Sequence, residues 1–181
     1  TFEKTLNGIY DLDVNTAGTT TFNGTVGDVS ELLSLTTDSP GTTNINGGSV
    51  KTTNNQTYND AVVFDTTTIL TSTTNGDITF AKTLDGNIVL GDMTTDDLTV
   101  NTAGTTTFNG AVGGTVELLS LTTDSPGTTN INGGSVDTTN NQTYNDDVLL
   151  GATTILTSTA SGNITFEKTL NGIYDLDVNT A

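Results

Sequence analysis

TFEKTLNGIYDLDVNTA at residues 1–17 returns letter for letter at residues 165–181. The same text begins a third time, in altered form, at Thr79, where TFAKTLDGN replaces TFEKTLNGI. The chain therefore reads as tandem units: residues 1–78, residues 79–164, and the start of a third at 165–181. Such a repeat has to be found before any other feature, because it dictates the architecture. Residues 15–80 and 101–166 align without a gap, and 53 of the 66 positions are identical. The eight-residue difference in unit length falls at one place, where Asn7–Asp11 (NGIYD) is replaced by Asp85–Asp97 (DGNIVLGDMTTDD). Text that absorbs eight residues and resumes unchanged predicts a corner loop there.

A shorter period lies inside the long one. Leu12, Leu35, Leu70, Leu98, Leu121 and Leu156 are each followed six residues later by glycine, at 18, 41, 76, 104, 127 and 162. Four residues beyond each glycine stands Phe22, Ile45, Phe80, Phe108, Ile131 or Phe166. A further apolar residue follows, as at Val26, Leu84, Val112 and Leu170, slipping by one to Val50 and Val136 after the isoleucines. Another copy has Asn54 or Asn140 in place of the glycine, followed by Tyr58 and Val62 or by Tyr144 and Val148; Asn best tolerates a positive φ after Gly. The turn positions are spaced 23, 13, 22 and 28 residues apart, then 23, 13 and 22.

Within each short unit the pattern is that of a strand. Thr20, Phe22, Gly24 and Val26 alternate with Thr21, Asn23 and Thr25, and the runs are bounded by Gly, Asn and Asp. Thr supplies 44 of 181 residues, and this β-branched residue favours strands over helices. A unit of about 20 residues cannot bury a core alone, but stacked copies can. The expected fold is all-β: a parallel β-solenoid, a right-handed β-helix of about four coils per unit. Phe22, Ile45, Tyr58 and Phe80 are expected to form one internal ladder, and Leu12, Leu35, Leu70 and Leu98 another. Phe22, Phe80, Phe108 and Phe166 should be buried, as should Leu12, Leu35, Leu98 and Leu121. Length changes should collect at one corner, between the second apolar residue and the next Leu. The spacing of 13 between Gly41 and Asn54 is too short for a full coil: either that coil is pinched at Gly47-Gly48, or Ile45 and Tyr58 share a larger one.

Three stretches carry a family resemblance: LTVNTAGTTTFNGAVGG (98–114), LTTDSPGTTNINGGSVDTTNNQTYNDDV (121–148) and TILTSTASGNITF (154–166). They resemble the repeat regions of giant secreted or surface-anchored bacterial β-solenoid proteins, the filamentous-haemagglutinin-like adhesins. The resemblance implies an extracellular rod used in attachment, biofilm or sheath building. It implies no catalytic residues.

Composition narrows the chemistry. There is no Cys, His, Trp or Arg, and four lysines (Lys4, Lys51, Lys82, Lys168) face 21 acids, for a net charge of −17. Such a chain is not expected to bind nucleic-acid phosphate, whose affinity rests on Lys and Arg. No run approaches the roughly eighteen apolar residues of a membrane helix, so no membrane insertion is expected. Thiolate metal sites and disulfides are excluded.

Ca²⁺ is the one candidate cofactor, since turn acids recur at Asp38, Asp60, Asp85, Asp92, Asp96-Asp97, Asp124 and Asp146-Asp147. The Ca²⁺ nonapeptide GGxGxDxUx is missing, and the blander reading, solvated turn acids, is preferred; no metal, cofactor or catalytic residue is assigned. The best local stretch is Gly91–Asp97. An enzyme is not expected: a β-helix acting on acidic sugars needs a base or cation, and Lys4 and Lys168 are one repeated position rather than a unique site. Outward Thr rows suggest ice binding, but irregular spacing argues against a flat face. Asn23, Asn55, Asn141 and Asn163 begin N-x-[ST] sequons, expected by chance in so Asn- and Thr-rich a chain. Tyr10 and Tyr174 are candidate surface platforms, whereas Tyr58 and Tyr144 belong to the core ladder.

The expected function is therefore a structural or adhesive segment of an extracellular filament or stalk. The alternatives are tandem Ig- or cadherin-like β-sandwiches and, further off, a carbohydrate-binding or carbohydrate-active β-helix. Expected partners are further copies end to end or a continuing chain, then host surfaces, glycans or neighbouring filaments. Without polar caps, residues 1–181 should stack at their open edges.

Overall fold

The computed structural model describes residues 1–87 and 96–181. Among them there is no helix, and strands are three to five residues long. Every strand pairing is parallel, including the isolated bridges. Ig-like sandwiches are antiparallel, so that alternative is replaced by a β-solenoid of about seven turns.

Each turn has three walls, visited in the order A, B, C. Wall C is a continuous eight-stranded ladder that starts at Leu12–Val14 and passes through Leu35–Thr37, Gln56–Tyr58 and Ile78–Phe80. It continues through Thr105–Phe108, Thr128–Ile131 and Asp147–Leu150 to Leu170–Gly172. Wall B begins with the bridges Leu6–Val26–Val50. It then runs through Thr68–Ser72, Asp97–Asn101, Ser120–Thr123 and Gln142–Tyr144 to Ile164–Phe166. Wall A stacks Thr19–Phe22, Thr42–Ile45, Ala61–Phe64 and Leu84–Gly86. Single bridges Leu84–Val112–Val136 carry it on to Ser135–Thr138, Thr154–Ser158 and Leu176–Thr180.

The walls explain the spacings. From Gly18 to Gly41 the chain passes three walls, as it does from Asn54 to Gly76 and from Gly76 to Gly104. From Gly41 to Asn54 it passes only two: wall A at Thr43 and wall B at Val50. The thirteen-residue step is thus two-thirds of a turn: the coil is not pinched, and Ile45 on wall A and Tyr58 on wall C belong to one and the same turn, as the second alternative had it. A unit holds eleven walls, and the expected "about four" coils are three and two-thirds.

This corrects the expected ladders. Phe22 and Ile45 stack on wall A and lead to Phe64, whereas Tyr58 and Phe80 stack on wall C and lead to Phe108. Leu12 and Leu35 pair on wall C, but Leu70 and Leu98 lie on wall B. Treating every corner as equivalent merged columns that the two-wall step separates. Length variation likewise spreads over two edges: Leu6 to Leu12 spans B to C, and both Val62 to Leu70 and Leu84 to Leu98 span A to B.

The interior is one apolar cluster running the length of the solenoid. Rings pile up where the register puts like over like. Tyr58 lies 5.3 Å from Phe80, which lies 5.4 Å from Phe108, and Phe2–Phe22 and Tyr144–Phe166 stack at 5.1 and 5.0 Å. Phe22, Phe80, Phe108, Leu35, Leu98 and Leu121 are buried as expected. Leu12 and Phe166 are only half-buried, because each lies on an end coil with a wall on one side only, Leu35 over Leu12 and Tyr144 under Phe166.

Close stacking explains the Gly-rich corners. Gly27 and Gly113 have φ of +73° and +70°, and a Cβ on either would sit 2.1 Å from the carbonyl oxygen of Lys51 or Asp137 in the next coil. The inserted corner leaves Leu84–Gly86 on wall A and re-enters wall B at Asp97, so only one wall-to-wall step lengthens. Residues 88–95 lie outside the described residues.

Two stability measurements follow. Phe80→Ala, with a ring stacked on each face, should cost about 3–5 kcal/mol in urea unfolding, and half-buried Phe166→Ala clearly less; equal costs would contradict the ring column. Replacing Asp85–Asp97 with NGIYD should shift stability by less than about 1 kcal/mol, since loop closure varies only logarithmically with length. Unfolding of that variant would show that the loop is part of a wall.

Candidate functional site

The polar groups that sequence reading singles out lie at the corners, and most are engaged between coils. Asp38 and Asp124 each accept the backbone N–H of the residue one turn below, Thr16 and Thr102, at 2.8 Å. Asp85 accepts the N–H groups of Thr115 and Val116, and Asp96 that of Asn87. Asp97 accepts the hydroxyls of Ser120 and Thr67. Asp38, Asp85, Asp97 and Asp124 tie one coil to the next, whereas the Asp96–Asn87 bond spans one wall-to-wall step. Of the candidate stretch Gly91–Asp97, residues 91–95 lie outside the described residues, and Asp96 and Asp97 bind their own chain. Among the described residues no three His, Cys, Asp or Glu side chains gather in a way that could hold a metal ion.

The most site-like arrangement is a cleft along the C–A edge, formed by corners of four successive coils. It is lined by Ser39, Pro40, Asn59, Lys82 and Asn109, with Gly41 and Asp60 at its floor. Stacking places these residues together: the cis Ser39-Pro40 turn, the Asn59-Asp60 turn and the Lys82 turn follow one another up the rod. The second unit repeats the arrangement at Ser125-Pro126, Asn145-Asp146 and Lys168, but on the B–C edge.

Asp60 and Asp146 are its unusual members, carboxylates only 1 and 2% exposed. The Asp146 oxygens accept the Thr123 hydroxyl at 2.8 Å and the Thr129 hydroxyl at 2.8 and 3.0 Å. Asp60 accepts only Thr43, at 3.1 Å, and both its Oδ1 and the buried Thr37 hydroxyl lack partners. Burial pushes both carboxyls above the ordinary carboxylate range. The Thr43 hydroxyl opposes this at Asp60, and the Asp38 charge adds to it. At Asp146 the two threonines and Lys168 oppose it. Asp124 is also raised, first by burial, against the Thr102 N–H and with help from Asp146. Asp147 moves the other way, held down by Thr169.

Sequence reading missed Gln56 and Gln142, which are fully buried. The Gln56 amide donates to the carbonyls of Val50 and Thr71 and to the Thr52 hydroxyl, while its oxygen accepts the Tyr58 hydroxyl at 2.9 Å. Gln142 and Tyr144 repeat the network at 3.1 Å. A signal was present: Gln56 lies two residues before Tyr58, on the inward side of the alternation. Burial raises the phenol pKa of both tyrosines.

Tyr10 and Tyr174 are exposed, Tyr10 by 75%. Ile9, Val29 and Leu33 are solvent-exposed as well, and the Tyr10 carbonyl accepts the Leu33 N–H. The sequon asparagines are exposed, and the side chains of three accept inter-coil bonds: Asn23 from the Asn46 amide, Asn55 from the Asp77 N–H, and Asn141 from the N–H of Asn163, the fourth.

No family model, curated protein or solved structure matches this chain.

The raised carboxyls give a signed pH dependence. Their contribution to stability is fully present below the unfolded value of 3.8 and is lost as pH rises through the higher folded values. Asp60→Asn with Asp146→Asn should therefore gain stability relative to the parent between about pH 4 and about pH 7. Urea midpoints at both pH values test this, and a gap that does not widen with pH would refute it.

Proposed function

We propose that the chain is a structural segment of an extracellular filament or stalk, without catalysis, that contributes length and lateral surface to an adhesive or scaffolding protein. The observation that supports this reading is that one text extends one rod. Both units, though different in length, contribute eleven walls to the same three ladders and one unbroken core. Each added unit then lengthens the rod by three and two-thirds turns, roughly 18 Å at the usual strand spacing. Outward Thr and Asn keep the walls solvated, and the −17 charge keeps neighbouring rods apart at low salt. End-to-end continuation with further copies fits the same reading, as do contacts with glycans, host surfaces or neighbouring filaments. Ca²⁺ acts in this reading as a screen between acidic rods.

Arrays of two, four and eight units, imaged by electron microscopy, test the rod. Length should grow by about 18 Å per unit at constant width. Beads of constant size, or a width that increases with unit number, would overturn the reading. Pelleting of arrays in rising CaCl₂ against matched NaCl tests the screening: bundles should form at lower Ca²⁺ than Na⁺ concentration, and should dissolve on chelation.

A further inference from the structure

The start of the unit occurs three times in this chain, and each time on a different wall. Leu12 lies on wall C, opposite Leu35. Its repeat, Leu98, lies on wall B, opposite Leu121. The third copy, Leu176, lies on wall A, opposite Thr154. The first interval is 86 residues and the second 78, yet each passes eleven walls. Eleven walls fall one short of four turns, so each unit ends one wall behind its predecessor. The side chains tolerate the change of wall. Tyr58 on wall C and Tyr144 on wall B are both fully buried, as are Leu35 on C and Leu121 on B.

We infer that the unit is a screw step: in an array, every surface group encoded once per unit moves to the next edge of the rod and returns to its own edge after three units, or eleven turns. The inference rests on the rod reading and adds the geometry of what the rod presents. The exposed pair Ile9-Tyr10 lies on the B–C edge, between Leu6 and Leu12. Its copy, Ile173-Tyr174, lies on the C–A edge, between Leu170 and Leu176. In the middle unit the corresponding step leaves wall A at Leu84–Gly86 and enters wall B at Asp97, so its described ends flank the A–B edge. One surface element, free to vary in length, is thus dealt to the three edges in turn. A flat partner laid along one edge meets this corner only once in eleven turns, roughly every 53 Å. A partner on any side of the rod meets it equally often. The surface suits contacts in three directions, as in a meshwork or bundle, rather than one adhesive face.

The chain has no cysteine, so paired labels can be placed on it directly. Asn23 and Asn109 occupy the same position in successive units and are exposed. Asn23 belongs to a polar ladder on the A–B edge in which it donates to Glu3 at 3.0 Å, Asn46 donates to it and Asn87 donates to Asp65, the last two at 2.9 Å. Asn109 begins the corresponding ladder on the C–A edge, where Asn132 donates to it at 2.8 Å. Spin labels on N23C/N109C should lie about 27 Å apart, combining an axial offset of about 18 Å with one wall width of about 20 Å. Labels on N23C/N87C, three turns apart on one edge, should lie about 14 Å apart. If a unit were four whole turns, N23C/N109C would instead read about 19 Å, and that result would overturn the inference. In a second arm, Asp85–Asp97 is replaced with NGIYD and the equivalent pair spanning the loop, N46C/N132C, is measured in both versions. An unchanged distance shows that wall count sets the rotation; a changed one means residue number does, and the inference fails. Neither readout depends on whether longer arrays grow as rods, so the two readings fail separately.

Discussion

Parallel backbone pairing between successive turns is the constraint from which the rest follows. Each wall residue must sit over a partner one turn below, at the strand spacing of about 4.8 Å. The number of walls per turn is therefore fixed, while the number of residues is not. A turn takes 19 residues between Thr129 and Val148 and 28 between Ile78 and Thr106. All of that slack is taken up at the corners. Because side chains in register are stacked rather than offset, rings fall on rings, and corners close over glycine where the backbones of adjacent coils nearly touch.

The same constraint explains what could be read from sequence. Strand alternation, glycine-marked turns and the inward positions of Phe22, Tyr58, Phe80 and Leu35 are local signals, and local signals survive in a single chain. Which inward residues share a column is a matter of counting walls, and a wall leaves no fixed residue count. The thirteen-residue spacing was the visible clue, and it made sense only once Thr43 and Val50 were found on different walls. Leu12 and Phe166 are less buried than their repeats because burial here is supplied by neighbouring turns rather than by the residue itself.

Interior polar groups follow a different logic. Gln56 and Gln142 look like surface residues in a list of letters, yet each joins two walls by donating to strand carbonyls of a neighbouring wall. Asp60 is buried beneath an exposed turn where Gly41 leaves it room, since a Cβ there would sit 2.8 Å from its Oδ1; Asp146 lies in the same way near Gly127, where a Cβ would meet the Thr102 carbonyl oxygen at 2.7 Å. Composition alone marks both pairs as hydrophilic. For the glutamines the strand alternation, two residues before each tyrosine, already marks the inward side; for the aspartates only the stacking of turn upon turn shows it.

The direction of the hydrogen bonds has a mechanical consequence. Strands lie across the rod, so the bonds that join turns point along its axis. Tension applied through the two chain ends loads one turn's ladder at a time, in the manner of a seam being unpicked rather than a sheet being sheared. The Gln56-to-Ile78 turn, at 22 residues, would release roughly 70–80 Å of slack chain before the next turn takes the load. Such a rod would yield in many small steps, lengthening gradually under strain instead of failing in one event.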